Sequence, residues 1–155
     1  MNQHISMQNG LTILMIIIST ASFAACMSKQ ESSGTPSATT NTNLSTLLQP
    51  SDVFVTPAIN QEWAASGKTI YKTKCQSCHK LTADKMAGPG WAGITKQREP
   101  HWIMNMMLHT DVMLENDPEA KRQLKEYMVR MPDQGLTKEE ARQVLEFMRS
   151  NDTVQ

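Results

Sequence analysis

Two thiols and an imidazole lie close together in the segment Cys75-Gln76-Ser77-Cys78-His79. Thiols three residues apart, followed directly by a histidine, form the attachment signature of a c-type haem. Each thiol adds across one vinyl group of the porphyrin, and the histidine beside the second thioether is then held under the ring with a nitrogen directed at the iron. We therefore predict one covalent haem with its iron, attached through Cys75 and Cys78 and bound by His79.

Three other interpretations of this motif are open. A structural zinc site would need a second ligand pair, but His101 and His109 are eight residues apart, outside the usual spacing of paired histidines. A thioredoxin-like redox pair is expected in a βαβ unit, and no run of alternating or β-branched residues predicts a parallel sheet. The third interpretation is a pair of ordinary buried or disulfide-bonded cysteines. The order of thiols and imidazole favours haem over all three.

The elements that must position this motif are predicted to be helices. Trp63, Gly67, Ile70 and Tyr71 recur at three- and four-residue spacing, so an amphipathic helix should lead directly into the motif. Glycine inside a helix costs about 1 kcal/mol relative to alanine. Gly67 therefore indicates that a second helix crosses closely at this point.

That second helix is predicted at the end of the chain, where Thr137 and Glu140 form a capping box. Apolar residues at helical spacing extend it to about Ser150. Two more helices are expected between these, one opened by Pro100 and one capped by Asp117. No strand pattern is visible, so the predicted fold class is all-α.

The N-terminal part of the 155-residue chain is predicted to direct export. Residues 1–25 contain no Asp, Glu, Lys or Arg and carry a short apolar run at 11–18, which favours a cleaved signal over the alternative, a permanent membrane anchor helix. The sequence Phe23-Ala24-Ala25-Cys26 is similar to the lipobox of bacterial lipoproteins, which predicts lipidation of Cys26. Simple processing would instead leave Cys26 as an odd thiol.

A change of composition separates this signal from the haem domain. Residues 26–59 are rich in Ser, Thr, Asn, Gln and Pro, which predicts a disordered tether, with the haem domain at 60–152. The alternative is that the apolar residues within 44–55 pack on the domain as a short strap.

Residues 60–150 resemble a small class I bacterial cytochrome c with a single haem. The resemblance rests on residues 67–79, Gly88-Pro89, Met131-Pro132 and the start of the last helix at 136–141. It implies that the first and last helices cross near Gly67 and Tyr71. It also implies that Met131 is the second axial ligand and that the Pro89 carbonyl accepts the other N–H of the proximal histidine.

A methionine ligand is also reached by elimination, because a low-spin electron carrier needs both axial positions filled. Most of the 12 methionines, Met128 included, lie in or beside helical apolar runs and are expected to be core filler. Met131 instead lies in a loop and precedes Pro132. Three other side chains stay open as the ligand, namely Met128, His101 and His109. Trp91 and Trp102 either pack on the haem, donate to a haem propionate, or are plain core.

The charges near the motif are uneven, since residues 62–85 hold five lysines against Glu62 and Asp84. Such a surplus at an exposed haem edge would steer docking to an acidic redox partner, and the alternative is a solvated face. The formal net charge is zero, and no aromatic residues are interleaved with basic ones, which argues against nucleic-acid binding.

These features predict a monomeric single-electron carrier, not an enzyme, tethered by lipidated Cys26 to a bacterial membrane and facing the periplasm. The resemblance implies a membrane quinol-oxidising donor and a terminal oxidase or anaerobic reductase as acceptor. One alternative function is a haem enzyme or gas-sensing module with an open or labile sixth position. Another is an interaction lipoprotein without haem.

Overall fold

Helices account for all the regular secondary structure in residues 44–154, the part of the chain that the computed structural model describes. In order these are 3₁₀ turns at Leu44–Thr46 and Pro50–Asp52, α1 Gln61–Ile70, a π-helical turn Tyr71–Cys75, α2 Ile94–Gln97, α3 Pro100–Leu108, α4 Thr110–Asn116, α5 Pro118–Tyr127 and α6 Lys138–Thr153. The predicted all-α class is confirmed. The short helices α2 and α4 were not predicted.

The predicted export signal at 1–25 and Cys26 lie outside the described residues. Within residues 44–154, no helix combines the length and the apolar character that crossing a bilayer requires.

The crossing of α1 and α6 brings the two ends of the haem domain together. A Cβ atom at Gly67 would lie 2.0 Å from the backbone oxygen of Gln143 and 2.9 Å from Cβ of Phe147, so only glycine allows this approach. The rings of Tyr71 and Phe147 pack 5.5 Å apart at the same crossing. The close contact that Gly67 and Tyr71 predicted is confirmed.

The last helix begins as predicted and ends later. Thr137 Oγ1 accepts the backbone N–H of Glu140 at 3.1 Å, and the Glu140 carboxylate accepts the N–H of Thr137 at 2.8 Å. At the other end the helix continues past residue 150, because the buried carboxylate of Asp152 accepts backbone N–H groups from Gly93 and Thr95 at 2.6 and 2.8 Å. This contact attaches the loop before α2 to the end of α6.

The segment before α1 packs against the domain, although its composition predicted a disordered tether extending to residue 59. We call residues 48–57 the N-terminal strap. Its Leu48 N–H donates to Asn105 Oδ1 at 2.8 Å, and Asn105 Nδ2 donates back to the Leu48 carbonyl at 2.9 Å. Val53 is buried, and Leu48 and Val55 pack against the core. The alternative reading of this segment as a strap therefore describes residues 48–57 better, and the packed domain begins before residue 60.

A buried carboxylate holds the strap against α6. Glu146 accepts the backbone N–H of Asn60 at 2.9 Å and is ion-paired to Arg142 at 2.5 Å and Arg149 at 2.8 Å. Arg149 also donates to the strap carbonyl of Thr56 at 2.5 Å. Burial alone would raise the pKa of Glu146, but the hydrogen bonds from Arg142 and the Asn60 N–H outweigh it and hold that pKa below its usual value.

Replacing Asn105 with alanine should release the strap. The substitution leaves the N–H and carbonyl of Leu48 without their partners, so we expect a loss of about 1–3 kcal/mol in the free energy of unfolding. Urea unfolding of the haem-loaded full chain measures it. Asn116→Ala is the matched control, because among residues 44–154 its side chain bonds the Val112 carbonyl alone, at the exposed end of α4. Equal losses in the two variants would contradict the strap contact.

Candidate haem-binding site

A cavity of about 310 Å³ contains the predicted motif in its lining. Cys75, Cys78 and His79 lie on its wall together with Pro89, and Met131 contributes to the same lining from the segment ahead of α6. The helices α3 and α4 and the residues before α6 supply an apolar wall of Trp102, Ile103, Met106, Met107, Leu114 and Leu136. Cofactor sites are typically mostly apolar with a few placed polar groups, and volumes of about 300–1,000 Å³ are usual.

His79 is held in one orientation by the carbonyl of Pro89. Nδ1 of His79 lies 2.8 Å from the Pro89 oxygen, and a carbonyl only accepts, so Nδ1 carries the hydrogen. Burial lowers the pKa of His79, and the bond to Pro89 opposes this without reversing it. The imidazole is therefore neutral near pH 7, and the lone pair of Nε2 is available to a metal.

Gly88 makes room for this imidazole. A Cβ at residue 88 would lie 2.5 Å from Cε1 and 2.9 Å from Nδ1 of His79. The Gly88 N–H also donates to the Cys78 carbonyl at 2.9 Å, which folds the loop back over the haem motif. In the sequence Gly88 was significant only through the family resemblance, because glycine by itself does not reveal which side chain approaches it.

Tyr71 has a second role that sequence reasoning missed. Its hydroxyl donates to the His79 carbonyl at 2.8 Å, and its ring packs 4.9 Å from the ring of Trp91. Trp91 in turn lies 5.6 Å from the imidazole, is almost fully buried and lines the cavity. Trp91 is thus both core and cavity wall. A buried tyrosine needs a hydrogen-bond partner, and that need was the available signal for Tyr71.

The Cys75 thiol is unlike those of a catalytic redox pair. Burial raises the pKa of the Cys75 thiol to about 11, outweighing the opposite effect of the Lys74 ammonium group. Catalytic redox cysteines have lowered thiol pKa values, so Cys75 does not fit that interpretation. Neither Cys75 nor Cys78 forms a disulfide within the described part of the chain.

The candidate sixth ligands are placed differently from one another. Met131 lines the cavity and packs against the core. Met128 follows α5 with a left-handed φ of 52° and is 86% exposed, so the expectation that it fills the core is wrong. Neither Met128, His101 nor His109 contributes to the cavity lining. Three helical methionines do, namely Met106, Met107 and Met148.

Lys74 connects the two sides of the cavity. Its Nζ donates to the Gln134 carbonyl at 2.7 Å, so the residue before Cys75 is bound to the segment that follows Met131. Two further lysines of the predicted positive surface have acidic partners within the chain, Lys80 with Asp84 at 3.8 Å and Lys85 with Glu126.

The comparisons with known proteins agree with this geometry. The cytochrome c family model matches residues 64–152. A cytochrome c from Rhodothermus marinus is 34% identical, with a TM-score of 0.65 over 66% of this chain and 88% of that one. An engineered form of it, bound to a carbene intermediate, is 33% identical with a TM-score of 0.60 over 65% of this chain and 87% of that one. The cytochrome c domain of the pp3183 protein from Pseudomonas putida is 27% identical, with a TM-score of 0.50 over 56% and 88%.

None of the curated protein sequences matches significantly. The family model nevertheless covers more than half of the chain, and the all-helical fold agrees with the solved relatives. The family binds haem c covalently and uses it for electron transfer, and the thiols, imidazole and apolar walls of this cavity fit such a group. The chain therefore belongs to the cytochrome c family, and its cofactor is a covalent, iron-containing haem c.

Proposed function

We propose that the protein is a single-electron carrier whose iron is bound by His79 and Met131, with thioether bonds at Cys75 and Cys78. The observation that carries the proposal is the composition of one cavity wall. His79, with Nε2 available, and Met131, from a non-helical segment, line the same cavity. Haem supplies the one-electron iron couple when bound.

The residues around the cavity suit this task. The Pro89 carbonyl and Gly88 hold the imidazole in one tautomer and one orientation, which keeps the ligand geometry unchanged between oxidation states. The apolar wall would shield a bound haem from water, and the Lys74–Gln134 bond restrains the segment that carries Met131. A thioether ligand raises the reduction potential relative to a second histidine.

Replacing Met131 with alanine tests the proposal. We expect the sulfur-to-iron charge-transfer band of the oxidised protein to disappear and the midpoint potential to fall by on the order of 0.1 V, within the range of about 0.8 V that axial ligands cover. Visible spectroscopy and potentiometric titration measure both. Met128→Ala is the matched control, because this exposed methionine lies outside the cavity lining. A band that survives in Met131→Ala contradicts the proposal, and its loss in Met128→Ala would assign the ligand to Met128.

A second candidate function is suggested by the engineered relative that holds a carbene intermediate. That protein binds a reactive group, so a haem enzyme or gas-sensing module with an open or labile sixth position is the alternative for this chain. Carbon monoxide separates the two functions. Under the carrier proposal the native protein binds carbon monoxide weakly and Met131→Ala binds it tightly, whereas tight binding by the native protein favours the alternative.

The cellular setting is part of the same proposal. The apolar segment at 11–18 and the lipobox-like sequence ending at Cys26 support export and lipid attachment. More than one acyl chain on Cys26 would give lasting attachment to a membrane, on its periplasmic side. The partners we propose are a quinol-oxidising membrane donor and a terminal oxidase or anaerobic reductase as acceptor, with the protein acting as a monomer.

A further inference from the structure

Met131 lies in the connection between α5 and α6, residues 128–137, which has no regular secondary structure. We call this connection the Met131 segment. Met131 and Leu136 pack half-buried against the core, whereas Met128 and Val129 are exposed. Helical hydrogen bonds therefore do not hold the segment, and few of its side chains anchor it by burial. The position of Met131 then depends strongly on polar contacts between this segment and the rest of the domain.

Two such contacts lie on either side of Met131. Before it, Arg130 pairs with Asp111 of α4 at 2.8 Å, and these side chains are 49% and 73% exposed. After it, the Gln134 carbonyl accepts a hydrogen bond from Lys74 Nζ at 2.7 Å, and both residues are half-buried and line the haem cavity. Exposed ion pairs contribute little, whereas a hydrogen bond from a charged donor is about twice as strong as a neutral one. The contact with Lys74 is therefore the stronger of the two.

A local turn presents the Gln134 carbonyl to the ammonium group of Lys74. Asp133 Oδ1 accepts the backbone N–H of Gly135 at 2.8 Å, and Gly135 has a left-handed φ of 58°, which favours glycine. The Gln134 side-chain amide donates to the Pro132 carbonyl at 3.2 Å within the same turn. The direction of the Gln134 carbonyl is thus set by the turn itself, so Lys74 meets an acceptor that is already oriented.

We infer that Lys74 is a positioning residue that keeps Met131 bound to the iron. Lys74 directly precedes Cys75 in the π-helical turn, so its backbone is held beside the attachment point of the haem. When the sulfur leaves the iron, the Met131 segment must move away, and this movement breaks the bond from Lys74 to Gln134. The bond therefore opposes opening of the sixth position. The inference rests on the ligation by Met131 proposed above, and it names the residue that controls how readily an external ligand replaces that sulfur.

Titration of the oxidised, haem-loaded full chain with imidazole tests the inference, because imidazole binds only where the sulfur has left the iron. We expect Lys74→Gln to raise the imidazole affinity about tenfold, equivalent to about 1.4 kcal/mol and close to the lower end for a hydrogen bond to a charged group. Lys74→Arg keeps a charged donor and should restore most of the native affinity. Lys72→Gln is the matched control, because it removes the same charge from an exposed residue of the same turn outside the cavity lining, and the affinity should not change.

The outcomes separate this inference from the proposed function. A merely structural role of Lys74 would lower the free energy of unfolding and leave the imidazole affinity of the folded protein unchanged, which would overturn the inference alone. Native protein that binds imidazole as tightly as Met131→Ala would overturn the proposed ligation and the inference together.

A second variant decides the question if Lys74→Gln does not retain haem. In Gly135→Ala the added Cβ would meet no atom of the described residues within 4 Å, so alanine acts only through the left-handed φ that the turn requires. Its imidazole affinity should also rise, because the Gln134 carbonyl turns away from Lys74. An unchanged affinity in this variant would overturn the inference.

Discussion

The Gly88→Ala protein is expected to lose the fixed orientation of His79. The added Cβ would lie 2.5 Å from Cε1, 2.9 Å from Nδ1 and 3.1 Å from Nε2 of the imidazole, so the ring must turn away. Turning breaks the 2.8 Å hydrogen bond to Pro89 and misdirects Nε2. The φ of Gly88 lies outside the left-handed region, so the backbone accepts alanine and the effect is one of side-chain collision.

Acid titration of the haem-loaded protein measures this effect, because protons compete with iron for Nε2. Overpacking costs about 1–3 kcal/mol, which weakens the iron–histidine bond by about 5- to 150-fold. The pH at which this bond breaks should therefore rise by about one to two units. Visible absorbance of the haem reports this transition. Gly93→Ala is the control for general backbone strain, since its left-handed φ of 77° disfavours alanine while the added Cβ would meet only the end of the Gln97 side chain at 3.4 Å and not His79; its transition should stay unchanged. An unchanged transition in Gly88→Ala would show that the ring accommodates the methyl group.

Replacing Glu146 with alanine is expected to cost about 3–5 kcal/mol of the free energy of unfolding. The carboxylate is almost fully buried, and its removal leaves Arg142 and Arg149 largely buried without their shared anion. It also leaves the N–H of Asn60 without its acceptor. Urea unfolding measures the loss. Glu139→Ala, on the exposed face of the same helix, should change the free energy of unfolding by less than about 1 kcal/mol.

The same carboxylate predicts a pH dependence. Because folding lowers the pKa of Glu146, its stabilising contribution is present above the pKa of an unfolded glutamate, about 4.3. That contribution is lost as the pH falls through the lower folded value. The Glu146→Ala protein should therefore lose less stability than the native protein between about pH 5 and pH 2. Parallel stability curves for the two proteins in this range would contradict the assignment.

Short-range signals predicted much of the fold. The capping box at Thr137 and Glu140 involves residues three apart, and the Gly67 crossing follows from one residue type within a clear apolar stripe. The strap depends instead on partners far along the chain. Asn105 bonds Leu48 across 57 positions, and Glu146 bonds Asn60 across 86. Composition averages a segment and does not reveal such partners, so residues 48–57 were assigned to the tether.

The residues of the candidate site also differ in how far the sequence could predict them. The Cys75, Cys78 and His79 motif is contiguous, so the sequence alone identified it. The family resemblance supplied Pro89, which the structure brings within hydrogen-bonding distance of His79. The Lys74–Gln134 bond spans 60 positions and had no local signal.

The π-helical turn at Tyr71–Cys75 lets the chain hold an extra residue between α1 and the haem motif. Its Gln76 N–H bonds the Tyr71 carbonyl five residues back, so the turn contains one residue more than an α-helical turn. Each residue of an α-helix advances the side chain by about 100° around the axis. The π-helical turn completes about the same rotation with one residue more, so deleting one residue within 72–74 would restore a regular α-helix and leave both thiols at nearly the same angle to α1. The turn thus lets the chain gain or lose one residue between the face that α1 buries and the attachment of the cofactor without changing the angle between them.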